Sequence, residues 1–180
     1  MRVRLIAGEY GGRFIAAPST STTHPMGERV RSAIFNSIGG EVRDAYVLDV
    51  FAGSGAIGLE ALSRGASHVT FVEKDRVAGR VLAENIDLLG VANRSKLIKT
   101  SAHSWLETSE VGDFDIIFAD PPYHNPQLST VKMLMGLLKV GGCMVLSYPG
   151  RGEVPHQDGI VVVDNRSYGN AHLIYFRRVE

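Results

Sequence analysis

The chain carries a single cysteine, Cys143, among its 180 residues. One thiol excludes an internal disulfide and any cysteine-built zinc site, and a reducing cytoplasm is its simplest setting. Its surroundings, Gly142-Cys143-Met144-Val145-Leu146, fit a buried structural thiol rather than a nucleophile. No apolar run is long enough to cross a bilayer, and the N-terminus lacks the apolar core of a signal peptide. Neither a membrane span nor a secretory leader is therefore expected. The six histidines are scattered with no pair at metal-ligand spacing, so no metal is expected. Net charge is zero, which excludes a polycation; nucleic-acid binding would need a local basic surface. What remains is a composition 44% hydrophobic and 21% charged, enough for one globular domain with a full core.

The segments Val3–Ala7 and Arg13–Ala16 flank Gly8-Glu9-Tyr10-Gly11-Gly12 and predict a small β-hairpin. A Ser- and Thr-rich stretch from Pro18 to Pro25 reads as a loop. Between Met26 and Ile38, Val30, Ile34 and Ile38 recur at helical spacing, closed by Gly39-Gly40. Residues 1–40 are expected as an extension too short to hold a core alone, beside a main domain over 41–180. Within it Arg2, Arg4, Arg13, Arg29 and Arg31 are opposed only by Glu9 and Glu28, a candidate basic surface.

From residue 46 the pattern alternates. Strands are predicted near 46–51, 68–73, 94–99, 114–119 and 142–147, with helices near 56–64, 75–89, 101–108 and 127–138. Such alternation predicts an α/β fold, a Rossmann-like, doubly wound and mostly parallel sheet with right-handed crossovers. Gly159–Asp164 and Ala171–Phe176 have no helix between them and predict an antiparallel hairpin at one sheet edge, turning over Arg166–Asn170. That makes seven strands in the main sheet.

Asp120-Pro121-Pro122-Tyr123 follows the apolar run Phe114–Ala119 and so sits at a strand's carboxyl end, where open α/β sheets place ligands. Two prolines fix the backbone and present carbonyl oxygens, flanked by a carboxylate and an aromatic face. That set suits a flat exocyclic amine such as that of a nucleobase. Asp120 and the Pro121 carbonyl accept its hydrogens while Tyr123 stacks on the ring. Pinning both N–H bonds loosens the nitrogen lone pair from ring conjugation and aims it at an electrophile. The plainer reading is a strand followed by a proline-rich turn.

Asp49-Val50-Phe51-Ala52-Gly53-Ser54-Gly55-Ala56-Ile57-Gly58 joins the first main strand to a helix. Its glycines satisfy G-x-G-x-x-G, and Glu73 follows 20 residues after Gly53, a spacing that also fits a dinucleotide fingerprint. Asp49 tilts the choice, because a pyrophosphate disfavours a neighbouring carboxylate. S-adenosylmethionine has no phosphate. Asp49 can pair with its ammonium, Gly53 and Gly55 let the backbone approach, and Glu73 can take both ribose hydroxyls. Ser101-Ala102, after the third strand, are placed to meet the adenine edge.

With these residues in hand the chain resembles a Class I S-adenosylmethionine-dependent methyltransferase. More narrowly, it resembles the RsmD-type family of small-subunit ribosomal RNA guanine-N2 methyltransferases. The likeness runs through Ile6-Ala7-Gly8 with Gly11-Gly12-Arg13, Arg29-Val30-Arg31 with Phe35-Asn36, and Asp49 to Gly58. It continues through Leu59-Glu60-Ala61-Leu62-Ser63-Arg64-Gly65-Ala66, Glu73, and Asp120 to Tyr123. His24-Pro25-Met26 departs from the family's usual Arg-Pro-Thr.

The resemblance implies methylation of one guanine N2 in 16S ribosomal RNA; the chain's small surface suggests an assembled or assembling small subunit as substrate, the cytoplasm follows from the lone thiol, and a monomer is the default. It assigns catalysis to Asp120, Pro121 and Tyr123. Cofactor contacts fall to Asp49, Ala52, Gly53, Ser54, Gly55, Glu73, Lys74, Ser101, Ala102 and Asp120, and RNA contacts to Arg13, His24, Arg29 and Arg31. Competing readings are an adenine-N6 methyltransferase, a protein-glutamine methyltransferase, a nicotinamide-dependent oxidoreductase, and a non-catalytic RNA-binding module.

Overall fold

The computed structural model describes residues 1–19, 26–109 and 112–180. Its N-terminal extension contributes β1 (Arg2–Arg4), β2 (Phe14–Ala16) and α1 (Glu28–Ile38). The sheet and its crossovers follow: β3 (Tyr46–Val50), α2 (Ala56–Ser63), β4 (His68–Val72), α3 (Arg76–Leu89), β5 (Ser95–Ile98) and α4 (Ala102–Thr108). Then come β6 (Phe114–Ala119), α5 (Leu128–Met135), β7 (Leu138–Tyr148), β8 (Ile160–Tyr168) and β9 (Ala171–Arg178). The seven main strands lie in the order β5-β4-β3-β6-β7-β9-β8. Pairing is parallel from β5 to β7 and antiparallel through β9 and β8, as the alternation predicts.

Side-chain alternation assigns the two faces. Val47, Val69, Phe71, Ile116, Phe118 and Val145 pack towards α1, α2 and α3 in one apolar cluster. Leu48, Val50, Val72, Ile117, Met144 and Leu146 point the other way, onto α4 and α5. Strands covered on both faces read as near-continuous apolar runs, which is why they were visible in the sequence. Val3, Leu5, Ile15, Ile34 and Phe35 of the extension join the first cluster.

Several boundaries differ from expectation, among them β7, which begins at Leu138 instead of near 142. The first strand ends at Arg4, because the N–H groups of Ile6 and Ala7 donate to the Glu60 carboxylate (2.7 and 3.1 Å) instead of to a partner strand. Helix α5 ends at Met135, since the Leu137 carbonyl already accepts the Phe114 N–H at 2.9 Å. The terminal strands run longer than predicted and close over Gly169-Asn170. Tyr168 pairs with Ala171, and Gly169 has φ 60°, the pattern of a type II′ hairpin turn.

Glu60 on α2 ties the extension down. Its carboxylate is 0% exposed and, besides the two backbone N–H groups, accepts Arg64 Nε at 2.8 Å. Arg31 Nη1 lies 3.6 Å from it. Arg31 is itself 2% exposed, with Nε donating to the Met26 carbonyl and Nη2 to the Arg4 carbonyl, both at 3.1 Å. Burial lowers its pKa from the usual guanidinium value, with the Glu60 charge opposing that shift. This corrects the expectation that Arg31 contacts RNA phosphates: its donors are turned inward, onto the fold.

Removing one member of a buried ion pair strands the other, typically at about 3–5 kcal/mol. Glu60→Ala should therefore lower the stability measured by urea unfolding by about that amount. A loss below about 1 kcal/mol would show that the carboxylate does not anchor the extension.

Candidate active site

Strand β3 carries Asp49 on the face shared with α1 and α2, one residue before the strand ends. Phe51, immediately after the strand, adopts φ 62°, a left-handed conformation that costs a bulky residue and is concentrated at functional turns. The turn is held by the Ala52 N–H on the Val72 carbonyl (3.1 Å) and the Gly55 N–H on the Ala52 carbonyl (2.8 Å). Gly58 then donates its N–H to Asp49 Oδ2 at 3.0 Å. A Cβ at Gly58 would lie 2.3 Å from the Phe71 ring and 2.9 Å from Asp49 Oδ2, so only glycine permits this approach.

Glu73, just past β4, joins the two loops. Its Oε2 accepts the Gly53 N–H at 2.8 Å and its Oε1 the Asp75 N–H at 3.0 Å. Each oxygen keeps a further lone pair, which leaves the carboxylate able to accept two hydroxyls.

Asp120 closes the acidic group from the end of β6. Its N–H lies 3.5 Å from the Val50 carbonyl, which keeps the β6 exit beside the β3 turn. Burial raises the Asp120 carboxyl to about 6, with the Ser147 hydroxyl acting in the opposite sense. Burial also raises Asp49 well above the ordinary carboxylate range. The Gly58 N–H offsets part of that, while the charges of Asp120 and Glu73 add to it. Among the described residues no ion pair involves Asp49, Glu73 or Asp120. Asp49 and Glu73 are buried and Asp120 half-buried, and such carboxylates without a counter-charge make a site that a cationic ligand would stabilise. The ammonium and sulfonium of S-adenosylmethionine fit that requirement; a pyrophosphate does not.

Tyr123 stands 40% exposed beside the acids, its hydroxyl 3.0 Å from Ser147 Oγ. Its ring face is thus available while its hydroxyl is fixed. Met26, Ile34, Asp49, Phe118, Asp120 and Ser147 line the narrow cleft beneath. Ser147 went unnoticed in the sequence. The available signal was one polar residue directly after the apolar run Cys143–Leu146, on the same face as Val145 and hence as Asp49.

The remaining predicted residues divide. Ser54 is buried, and its carbonyl accepts Asn85 Nδ2 at 3.0 Å; the same amide also bonds both backbone groups of Ala16, each at 2.9 Å. Asn85, unremarked in the sequence, therefore couples the glycine turn to the N-terminal hairpin. Lys74 is exposed at the rim. Ser101 caps α4, its Oγ accepting the Ser104 N–H at 3.1 Å, and Ala102 is buried behind it. Arg13 is exposed but donates Nη2 to the Leu88 carbonyl at 3.2 Å and lies over the Tyr10 ring. Arg29 is exposed on α1, whereas His24 lies outside the described residues.

Residues 3–177 match the family described as Conserved hypothetical protein 95. The chain is 31% identical over 183 residues to YlbH of Bacillus subtilis, covering 98% of this chain and 99% of that protein. It is 37% identical over 134 residues to ribosomal RNA small subunit methyltransferase D of Escherichia coli, covering 74% of this chain and 67% of that one. The solved structure of Escherichia coli yhhF superposes with a TM-score of 0.90 at 27% identity, covering 100% of this chain and 99% of that one. A family model matched over residues 3–177 and a relative 31% identical over nearly the whole of both chains show that this chain belongs to the RsmD-type methyltransferase family.

Proposed function

We propose that this protein transfers a methyl group from S-adenosylmethionine to the exocyclic N2 amine of one guanine in 16S ribosomal RNA, within a small subunit. The observation that carries this reading is that Asp49, Asp120 and Ser147 share one cleft and that the Ser147 hydroxyl meets that of the exposed Tyr123 at 3.0 Å. Family membership supplies the methyl-transfer chemistry, and the acidic cluster supports a cationic donor.

In this reading Asp49 pairs with the donor's ammonium, and Glu73 accepts its ribose hydroxyls. Ala52, Gly53, Ser54 and Gly55 shape the turn against its methionine part. Lys74, Ser101 and Ala102 border the adenosine end. When bound, the donor supplies a methyl group already activated on a sulfonium.

The chain's own residues do the positioning, which accounts for much of the barrier in such a reaction. Tyr123 stacks on a base turned out of its helix, as RNA-modifying sites require. The Asp120 carboxylate accepts one N–H of the amine and the Pro121 carbonyl the other. The nitrogen gains the methyl carbon, sulfur retains the electrons of the broken bond, and one amine proton passes to Asp120 and then to water. A carboxyl near 6 is mostly ionised at neutral pH yet basic enough to take that proton. Arg13 and Arg29 are the extension's candidates for phosphate contact.

Methyl-labelled donor incubated with unmodified small subunits should yield N2-methylguanosine after nuclease digestion. Labelled N6-methyladenosine or methylglutamine would redirect the reading to another amine, and no label would remove it. Asp120→Ala should lower turnover by roughly 10²–10⁴-fold while calorimetry finds donor affinity within a few-fold of wild type.

The pH dependence follows from the sign of the shift. Asp120 must be ionised to accept hydrogen bonds and a proton, and its carboxyl titrates near 6 in the free protein. Log kcat/KM should therefore fall with decreasing pH below about 6, at roughly tenfold per unit, and flatten above it. A profile flat from pH 5 to 8 would take Asp120 out of the proton's path.

A further inference from the structure

On the opposite side of β7 from Ser147 lies a second concavity that the reaction above does not use. Leu146 and Tyr148 alternate with Ser147 and so face away from Asp120, towards α5. Together with Leu128 they line a cavity of ≈120 Å³. Four of the chain's seven prolines, Pro121, Pro126, Pro149 and Pro155, form its walls. Proline walls are stiff and carry no N–H, so the cavity is preformed and needs no ordering when filled. Tyr148 is braced by the His172 ring at 5.8 Å, which in turn bonds Ser167 Oγ at 2.8 Å. Arg151 and Glu153 stand at the mouth.

We propose that this pocket holds a second, pyrimidine-sized base of the RNA substrate, a near neighbour of the methylated one. The inference rests on the functional reading above and extends it. Size excludes anything larger than a single ring, because at ≈120 Å³ the cavity is smaller than the apolar cavity of roughly 150 Å³ that accommodates benzene. Position argues for RNA: Pro121 is both a wall of this pocket and part of the loop that grips the target amine. Turning one base out of a stack uncovers the apolar face of its neighbour, and a tyrosine face among prolines replaces that lost stacking. The rim fits the same ligand. Arg151 suits a phosphate or base carbonyl, and the Glu153 carboxylate suits an exocyclic amine such as that of cytosine.

The test uses the intact protein, labelled S-adenosylmethionine and unmodified small subunits. Leu128→Trp fills the pocket, and Tyr148→Leu removes its stacking face while keeping an apolar wall. Each should raise KM for subunits by about tenfold, with kcat and donor affinity near wild type. Thermal unfolding of both variants guards against a folding defect. Independently, p-benzoylphenylalanine in place of Val154 should crosslink to RNA on irradiation. Labelled subunits with unchanged KM in both folded variants overturn this inference alone, as does a crosslink confined to ribosomal protein. Wild-type protein that leaves subunits unlabelled overturns the functional reading itself, and the pocket's assignment falls with it.

Discussion

Negative charge gathered at the carboxyl ends of β3, β4 and β6, buried at Asp49 and Glu73 and half-buried at Asp120, is the constraint on which the rest depends. Asp49, Glu73 and Asp120 arrive there from three strands, and burial raises both aspartate carboxyls. A stable fold would not ordinarily collect such groups without a partner, because burial of an unpaired carboxylate is expensive. The backbone softens the cost through the N–H groups of Gly53, Gly58 and Asp75. What those bonds leave undone is a positive charge, which a ligand must bring. Binding of a cationic donor is therefore also a stabilising event for the fold.

The extension is fastened to that same region by buried polar groups rather than by surface contacts. Glu60 takes its backbone N–H groups at Ile6 and Ala7, and Asn85 bonds Ala16 while also holding the Ser54 carbonyl. The glycine turn and the hairpin thus share a side chain. Movement of one is felt by the other through Asn85, which is 1% exposed and without room to re-pair with water. The exposed Arg29 on α1 is in this way carried on an extension fixed to the glycine turn.

Much of this was readable from the chain, and the exceptions share a cause. The parallel strands showed because both faces are covered, and the acidic residues showed because each lies at or just past the carboxyl end of an apolar strand. Asp49, Glu73 and Asp120 needed only that positional rule. Arg31, Glu60, Asn85 and Ser147 did not follow from it. Arg31 was counted as surface charge, since arginine is seldom buried and its partner Glu60 lies far along the chain. Asn85 is a polar residue on the otherwise apolar face of α3 with Ala78, Leu82, Ile86 and Leu89, Ser147 follows the apolar run Cys143–Leu146, and what each bonds is decided by tertiary packing. Local pattern shows that such a residue is out of place without showing what it meets.

The period of a strand separates two tasks at the edge of this sheet. Ser147 points towards Asp120 and Tyr123, and its hydroxyl both fixes the tyrosine and counters the rise of the Asp120 carboxyl. Leu146 and Tyr148, one residue to either side, face α5 and the proline-walled cavity. A one-residue slip of β7 would exchange these faces, putting an apolar side chain against the carboxylate and a hydroxyl into the apolar pocket. Register is held against that slip from both sides, by β6 through Cys143 to Leu146 and by β9 through Cys143 to Tyr148. The C-terminal hairpin therefore does more than finish the sheet. By pairing with β7 through its last residue, β9 sets which side of the strand performs chemistry and which offers an apolar surface.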